Sequence, residues 1–211
     1  MNKYIRAINK LIIDYTDDYA ERPREEEVVV PRISVYDLAE LIMRYAHRNQ
    51  KRENGENYAN HPLRVAGMFR NWFGPCRLEL LGISFKGVQE VCLLHDVVED
   101  TKITIDDLYD IFAYYGHKEY FDNYLRKSLE IITHNKEDSY FDYIGNVLEN
   151  PVASLVKMID LQDNLFILGL ISFDDKKYER AQDYLRWFYV INEKYHFIEK
   201  IEKYKKELGE K

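Results

Sequence analysis

A chain of 211 residues that is 46% hydrophobic and 32% charged is long enough to bury a sizeable core and ordinary enough in composition to be a globular protein of one domain. Its formal net charge of -7 argues against non-specific nucleic-acid binding, and no run of 18 apolar residues argues for a membrane span. Nine Gly and five Pro argue against a turn-rich β architecture, and the two cysteines, Cys76 and Cys92, with no signal-like N terminus, point to buried thiols in a reducing cytoplasm.

Apolar positions from Tyr4 to Tyr15 recur at helical spacing and predict an amphipathic helix over 2–20. A charged break at 21–27 follows, then Val28 to Val30, which Pro31 biases toward an extended conformation. Ser34 is a good N-cap for a helix from Tyr36 to Gln50. The next stretch, 46–57, reads as a polar loop with Arg48, Lys51 and Arg52 packed into five residues. It is a solvated surface or a platform for an anion, since arginine can both pair with phosphate and stack on a base. Asn60 or His61 caps the following helix, with Pro62 at the first helical position. Residues 71–85 look like a loop with one helical turn. A buried helix then runs from Lys86 to Val98. Thr104 and Asp107 resemble a capping box that opens a helix to Tyr115, closed by Gly116. Residues 118–132 form another amphipathic helix, and Asp138 or Ser139 starts a short one over 140–148. Asn150-Pro151 opens a long apolar helix through Leu168. A C-terminal helix of about 175–204 has an apolar stripe for the body or for a second copy of the chain, a homodimer. The expectation is one all-α domain of eight to ten helices, its motifs in 35–170.

The chemistry concentrates in Leu93-Leu94-His95-Asp96-Val97-Val98-Glu99-Asp100-Thr101. At about 100° per residue, His95, Asp96, Glu99 and Asp100 lie within an arc of roughly 140° on an otherwise apolar helix. Burying them without partners costs many kcal/mol, and a divalent cation is the simplest compensation. The bland alternative is a capped helix end with a core histidine. Asp160, one turn from Asn164, is a carboxylate on a core-facing helix side, where such groups seldom go unpartnered. Together with His61, they offer two imidazoles and two carboxylates. That mixed set suits Mn²⁺, with Fe²⁺ or Zn²⁺ as alternatives, and leaves positions for water and a phosphate oxygen. Glu99 or Asp100 could orient or deprotonate that water.

The order of these segments resembles the HD-domain phosphohydrolases, and more closely the RelA/SpoT-type hydrolases and small alarmone hydrolases. The resemblance rests on Ala46-His47-Arg48-Asn49-Gln50, Arg52, Gly55-Glu56 and Tyr58. It continues through His61-Pro62-Leu63-Arg64-Val65-Ala66, the His95–Thr101 stretch and Val156 to Leu165. It implies hydrolysis of the 3′-pyrophosphate of guanosine tetra- and pentaphosphate with one Mn²⁺. It also implies His61, His95, Asp96 and Asp160 as metal ligands, Glu99 and Asp100 as the water-activating pair, Arg52 as the base-stacking residue and Asn164 as a nucleotide contact. Arg48 and Lys51 are expected to draw in the phosphates. Asn49, Glu53 and Ile167 depart from the family pattern, and so does the longer interval from His61 to His95. They leave open an HD phosphohydrolase for another nucleotide or cofactor phosphate. A catalytically silent binding module is the third reading; it predicts a broken ligand set, and none is broken here. The expected partner is a small nucleotide, not nucleic acid or membrane.

Overall fold

The computed structural model describes residues 2–16, 32–73, 84, 86–169, 174–207 and 209. Among these, the backbone is helical or in turns, with one isolated antiparallel bridge between Lys51 and Asn57 and no longer strand. This is the all-α class that the periodicity predicts. The helices are α1 (Lys3–Thr16), α2 (Val35–Ala46), α3 (Asn60–Trp72), α4 (Val88–Leu94), α5 (Val97–Asp100) and α6 (Ile105–Tyr114). Then follow α7 (Lys118–Tyr120), a π turn (Phe121–Leu125), α8 (Arg126–Ile132), α9 (Tyr140–Val147), α10 (Pro151–Leu168), α11 (Asp175–Tyr195) and α12 (Phe197–Glu207). The charged break, the Val28–Val30 segment and most of the 71–85 loop lie outside the described residues. No helix among the described residues is long and apolar enough to cross a membrane.

Helix α4 is the centre of the bundle. It packs against α2, α3 and α10, and α10 in turn packs along α11. All seven of its residues but Gln89 are buried, as the apolar run Val91 to Leu94 requires. Gly87 starts it at φ 86, and a Cβ there would sit 2.6 Å from the Tyr124 carbonyl oxygen. Only glycine fits that left-handed, close-packed position. The expected capping box is present, with Asp107 N donating to Thr104 Oγ1 at 3.1 Å and Thr104 N to Asp107 Oδ2 at 3.0 Å. Ser34 and Asn150 cap α2 and α10 as expected.

Four boundaries differ from expectation. Helix α2 stops at Ala46, where His47 N bonds back to Met43 O and the chain turns into the loop. Helix α3 begins at Asn60 with Ala59 as its cap, so Pro62 sits third, still in the first turn where a missing N–H costs nothing. The 118–132 helix contains the π turn, whose extra residue lets Phe121 and Leu125 both face the core ahead of Leu129. The C-terminal helix is broken at His196 (φ 54), where Asn192 holds the next turn by accepting from Ile198 N at 3.0 Å.

Candidate active site

The Lys86–Val98 helix of the sequence reading is interrupted at His95-Asp96, and α5 starts afresh at Val97. The two neighbours thereby turn into the same space: His95 Nε2 lies 3.2 Å from Asp96 Oδ2. His61, at the start of α3, brings its Nε2 to 3.4 Å from Asp96 Oδ2 and 3.0 Å from Asp160 Oδ1. His95 Nε2 is 3.7 Å from the same Asp160 oxygen. All four expected ligands therefore meet, from α3, the α4–α5 break and α10. Ligand atoms of His61, His95 and Asp96 lie within 4.8 Å of one another, the spacing of a metal-binding group.

The outer contacts decide which nitrogens face inward. His61 Nδ1 donates to Asp163 Oδ2 at 2.7 Å, and His95 Nδ1 donates to the Cys92 carbonyl at 2.8 Å. With both Nδ1 atoms committed as donors, each neutral ring turns an Nε2 lone pair into the cluster. His95 Nε2 is fully buried and makes no hydrogen bond among the described residues. A buried nitrogen left open in this way is costly unless a proton facing Asp96 or a bound cation completes it, and a divalent cation fits the donor set. Asp160 shares its load: Lys157 Nζ takes Oδ2 at 2.9 Å and Asn164 Nδ2 reaches Oδ1 at 2.7 Å.

The electrostatics favour positive charge here. Burial alone would lower the pKa of His61, but hydrogen bonds to Asp160, Asp163 and Asp96 outweigh it and carry the group up to about 9. His95 also shifts upward against its burial, chiefly through the negative charge of Asp96. Burial pushes Asp96 and Asp160 up, and the cationic neighbours (His95 for the first, Lys157 for the second) reverse this and hold both well below the carboxylate range. A pocket that holds its carboxylates ionised while drawing protons onto its imidazoles offers a cation the same attraction.

No family model matches this sequence. It is 26% identical over 168 residues to the guanosine-3′,5′-bis(diphosphate) 3′-pyrophosphohydrolase of Vibrio cholerae, covering 77% of this chain and 22% of that protein. It is 28% identical over 150 residues to MESH1 of Mus musculus, which bears the same enzyme name, covering 68% of this chain and 74% of that one. Over 108 residues it is 32% identical to the bifunctional (p)ppGpp synthase/hydrolase SpoT of Escherichia coli, 51% of this chain and 12% of that protein. A solved structure of a metazoan orthologue of SpoT, described as hydrolysing ppGpp, has the same fold: TM-score 0.56, 20% identity, 91% of this chain and 100% of that one. The chain is thus similar, over part of its length, to proteins named as (p)ppGpp hydrolases. It spans about a fifth of the length of the bacterial relative and about three quarters of the mouse one.

The remaining expected site residues fall into two groups. Arg52 is held by the loop, whose turn is closed by the Lys51–Asn57 bridge and by Gly55 at φ 83. Its guanidinium donates to Asp163 Oδ2 at 3.3 Å and to Asn164 Oδ1. It lines a cleft of about 240 Å³ with Lys51, Tyr58, Asn164, Ile167 and Tyr184. Arg48 is elsewhere. It lies over the Tyr45 ring at 4.0 Å and faces a different cleft, with Lys3 and Lys102. The structure therefore does not gather Arg48 with Arg52 and Lys51.

The acid pair is also split. Glu99 is half-buried and its Oε2 accepts from His134 N at 3.0 Å. Burial, more than that bond or Lys157, sets its pKa, which is raised. Asp100 is exposed, and the Tyr58 hydroxyl lies 2.7 Å from its Oδ2 and 2.8 Å from Asp96 Oδ2. One phenol thus joins an expected ligand to an expected acid.

Sequence reasoning missed Asp163, Arg64, Glu56 and Tyr58 as parts of the site. Asp163 is 1% exposed and accepts from Arg64 Nε at 2.7 Å as well as from His61, while Arg64 reaches on to Glu56 Oε1 at 2.7 Å. The available signal was position: Asp163 is three residues beyond Asp160 on an apolar helix, the same face.

Proposed function

We propose that this chain is a metal-dependent phosphohydrolase that removes the 3′-pyrophosphate of guanosine tetra- or pentaphosphate, yielding GDP or GTP and pyrophosphate. The observation that carries the reading is the pair of imidazoles with inward Nε2 atoms facing Asp96 and Asp160, beside the Arg52 cleft. The names of the relatives supply the reaction. His61, His95, Asp96 and Asp160 would hold the cation, with Mn²⁺ as the first choice and Fe²⁺ or Zn²⁺ as alternatives. When bound, it supplies neutralisation of phosphate charge and a lowered pKa for water.

The chain's own groups do the rest. Arg52, tied in place by Asp163 and Asn164, offers a flat cationic face for a base. Asn164 provides amide contacts at the same wall, and Lys51 adds charge at the mouth. Glu99, whose burial raises its pKa, receives or returns the proton. Asp100 holds Tyr58 and, through it, the orientation of Asp96. A reducing cytoplasm is the compartment that this nucleotide chemistry and the cysteine pattern suit.

One observation favours a second reading, hydrolysis of another nucleotide or cofactor phosphate. Glu53 stands in the Arg52 cleft and pairs with Arg180 at 3.3 Å, which cancels a cation where a phosphate would otherwise be met. A nucleotide panel assayed with added Mn²⁺ separates the two. Pyrophosphate released from guanosine tetraphosphate supports the first reading, and orthophosphate from other nucleotides with none from it supports the second.

A further inference from the structure

The cleft that Arg48 faces is larger, about 410 Å³, and Asp100 lines it but not the Arg52 cleft. Its floor is the pair Tyr4 and Tyr45, edge to face with centroids 6.3 Å apart. Lys3 Nζ lies 4.8 Å from the Tyr4 ring centre and the Arg48 guanidinium 4.0 Å from that of Tyr45. Lys102 completes the rim. Among the described residues, none of these three cations makes an ion pair, and the cleft has a single carboxylate, Asp100. Three cations against one lining carboxylate, with Asp107 near Lys3 as an acid outside the cleft, is a local excess in a protein whose net charge is -7.

We propose that this cleft is a second anion site, selective for a pyrophosphoryl group. Three cations lining one cleft match a group that carries about three negative charges at neutral pH better than they match one carboxylate. Lys3 and Arg48 already occupy one face of each ring, which leaves less aromatic surface for a base. The same cation–π contacts restrain both cationic heads before any ligand arrives, which lowers the ordering cost of binding. The cleft is also coupled to the metal cluster. Gln50 Nε2 donates to the Asp100 carbonyl at 2.8 Å, and Tyr58 links the Asp100 carboxylate to Asp96. An anion seated here lies against one member of the acid pair, and a released pyrophosphate is the nearest source.

Calorimetric titration of the chelator-treated full chain with inorganic pyrophosphate tests the site apart from any hydrolysis. Arg48→Ala and Lys102→Ala should each weaken binding about fivefold, the scale of one exposed charge contact, and added salt should weaken it further. Asp100→Asn should tighten it. Arg52→Ala should leave it within about twofold, and thermal melts of each variant report folding. Repeating the titration with guanosine tetraphosphate on Arg52→Ala separates the sources. Binding that Arg48→Ala then removes assigns the nucleotide's phosphate chain as a ligand; its absence leaves inorganic pyrophosphate. Unchanged affinity in Arg48→Ala and Lys102→Ala, a larger loss in Arg52→Ala, or no binding by wild type at millimolar pyrophosphate overturns the proposal, and none of these results bears on the hydrolase reading.

Discussion

Asp163→Asn tests whether the His61 tautomer is held from outside the cluster. The carboxylate accepts from His61 Nδ1 at 2.7 Å, from Arg64 Nε at 2.7 Å and Nη2 at 3.0 Å, and from Arg52 Nη1 at 3.3 Å. An amide of the same shape has one acceptor oxygen and one NH₂ to place among these donors. If the oxygen stays with Arg64, the NH₂ faces His61 Nδ1 and favours the tautomer with a proton on Nε2. That tautomer turns a donor, not a lone pair, into the cluster. Loss of such outer support costs about 10- to 100-fold in metal affinity, or about 1.4 to 2.8 kcal/mol. Mn²⁺ titration of chelator-stripped protein, followed by the signal of free Mn²⁺, reads the change directly. Glu56→Gln is the control, because it perturbs Arg64 at 2.7 Å and leaves the His61–Asp163 bond untouched. Its Mn²⁺ affinity should stay within about threefold of wild type. Asp163→Asn protein that binds Mn²⁺ as tightly as wild type, with a normal melt, refutes the tautomer argument.

Three further substitutions probe other parts of the site and the core. Glu99→Gln should keep its metal and lose about 10²-fold in kcat, since a neutral amide cannot exchange a proton; near-normal turnover in steady-state assays removes Glu99 from the chemistry. Arg52→Lys keeps the charge but cannot serve Asp163 and Asn164 together or present a flat face, so KM for guanosine tetraphosphate should rise more than kcat falls; an unchanged KM eliminates the stacking role. Glu90 is 8% exposed on α4, and burial raises its pKa above the carboxylate value of 4.5. Its folded form therefore binds a proton more tightly than the unfolded chain does, and that contribution is full below about pH 4.5 and is lost as pH rises through the raised value. Glu90→Gln should then stabilise the fold by about 1 kcal/mol at pH 7.5 and by nothing at pH 4, measured as urea midpoints at both; equal effects at the two pH values refute the assignment to ionisation.

Much was legible because it is local. The 3.6-residue recurrence of apolar side chains marks each helix face, and caps such as Thr104, Ser34 and Asn150 act within one turn, so the chain itself encodes the all-α class and most helix limits. His61, His95, Asp96 and Asp160 were legible as polar groups at apolar positions, which their own helices make conspicuous. What needed the tertiary structure is whatever depends on two segments meeting. The partner of His61 is Asp163, 102 residues further along, and no periodicity connects them. Arg48 and Arg52 look equivalent in a loop of mixed charge, yet the Lys51–Asn57 bridge turns one toward Asn164 and leaves the other over Tyr45. The break at His95-Asp96 follows neither glycine nor proline, so helix propensity alone carries the helix through it. The sequence by itself determined the apolar face of each helix and the four polar residues conspicuous within those faces. Packing of α3, α4 and α10 decided which of their atoms face one another, because a helix's pattern specifies its own apolar face and not the register of the neighbour against it.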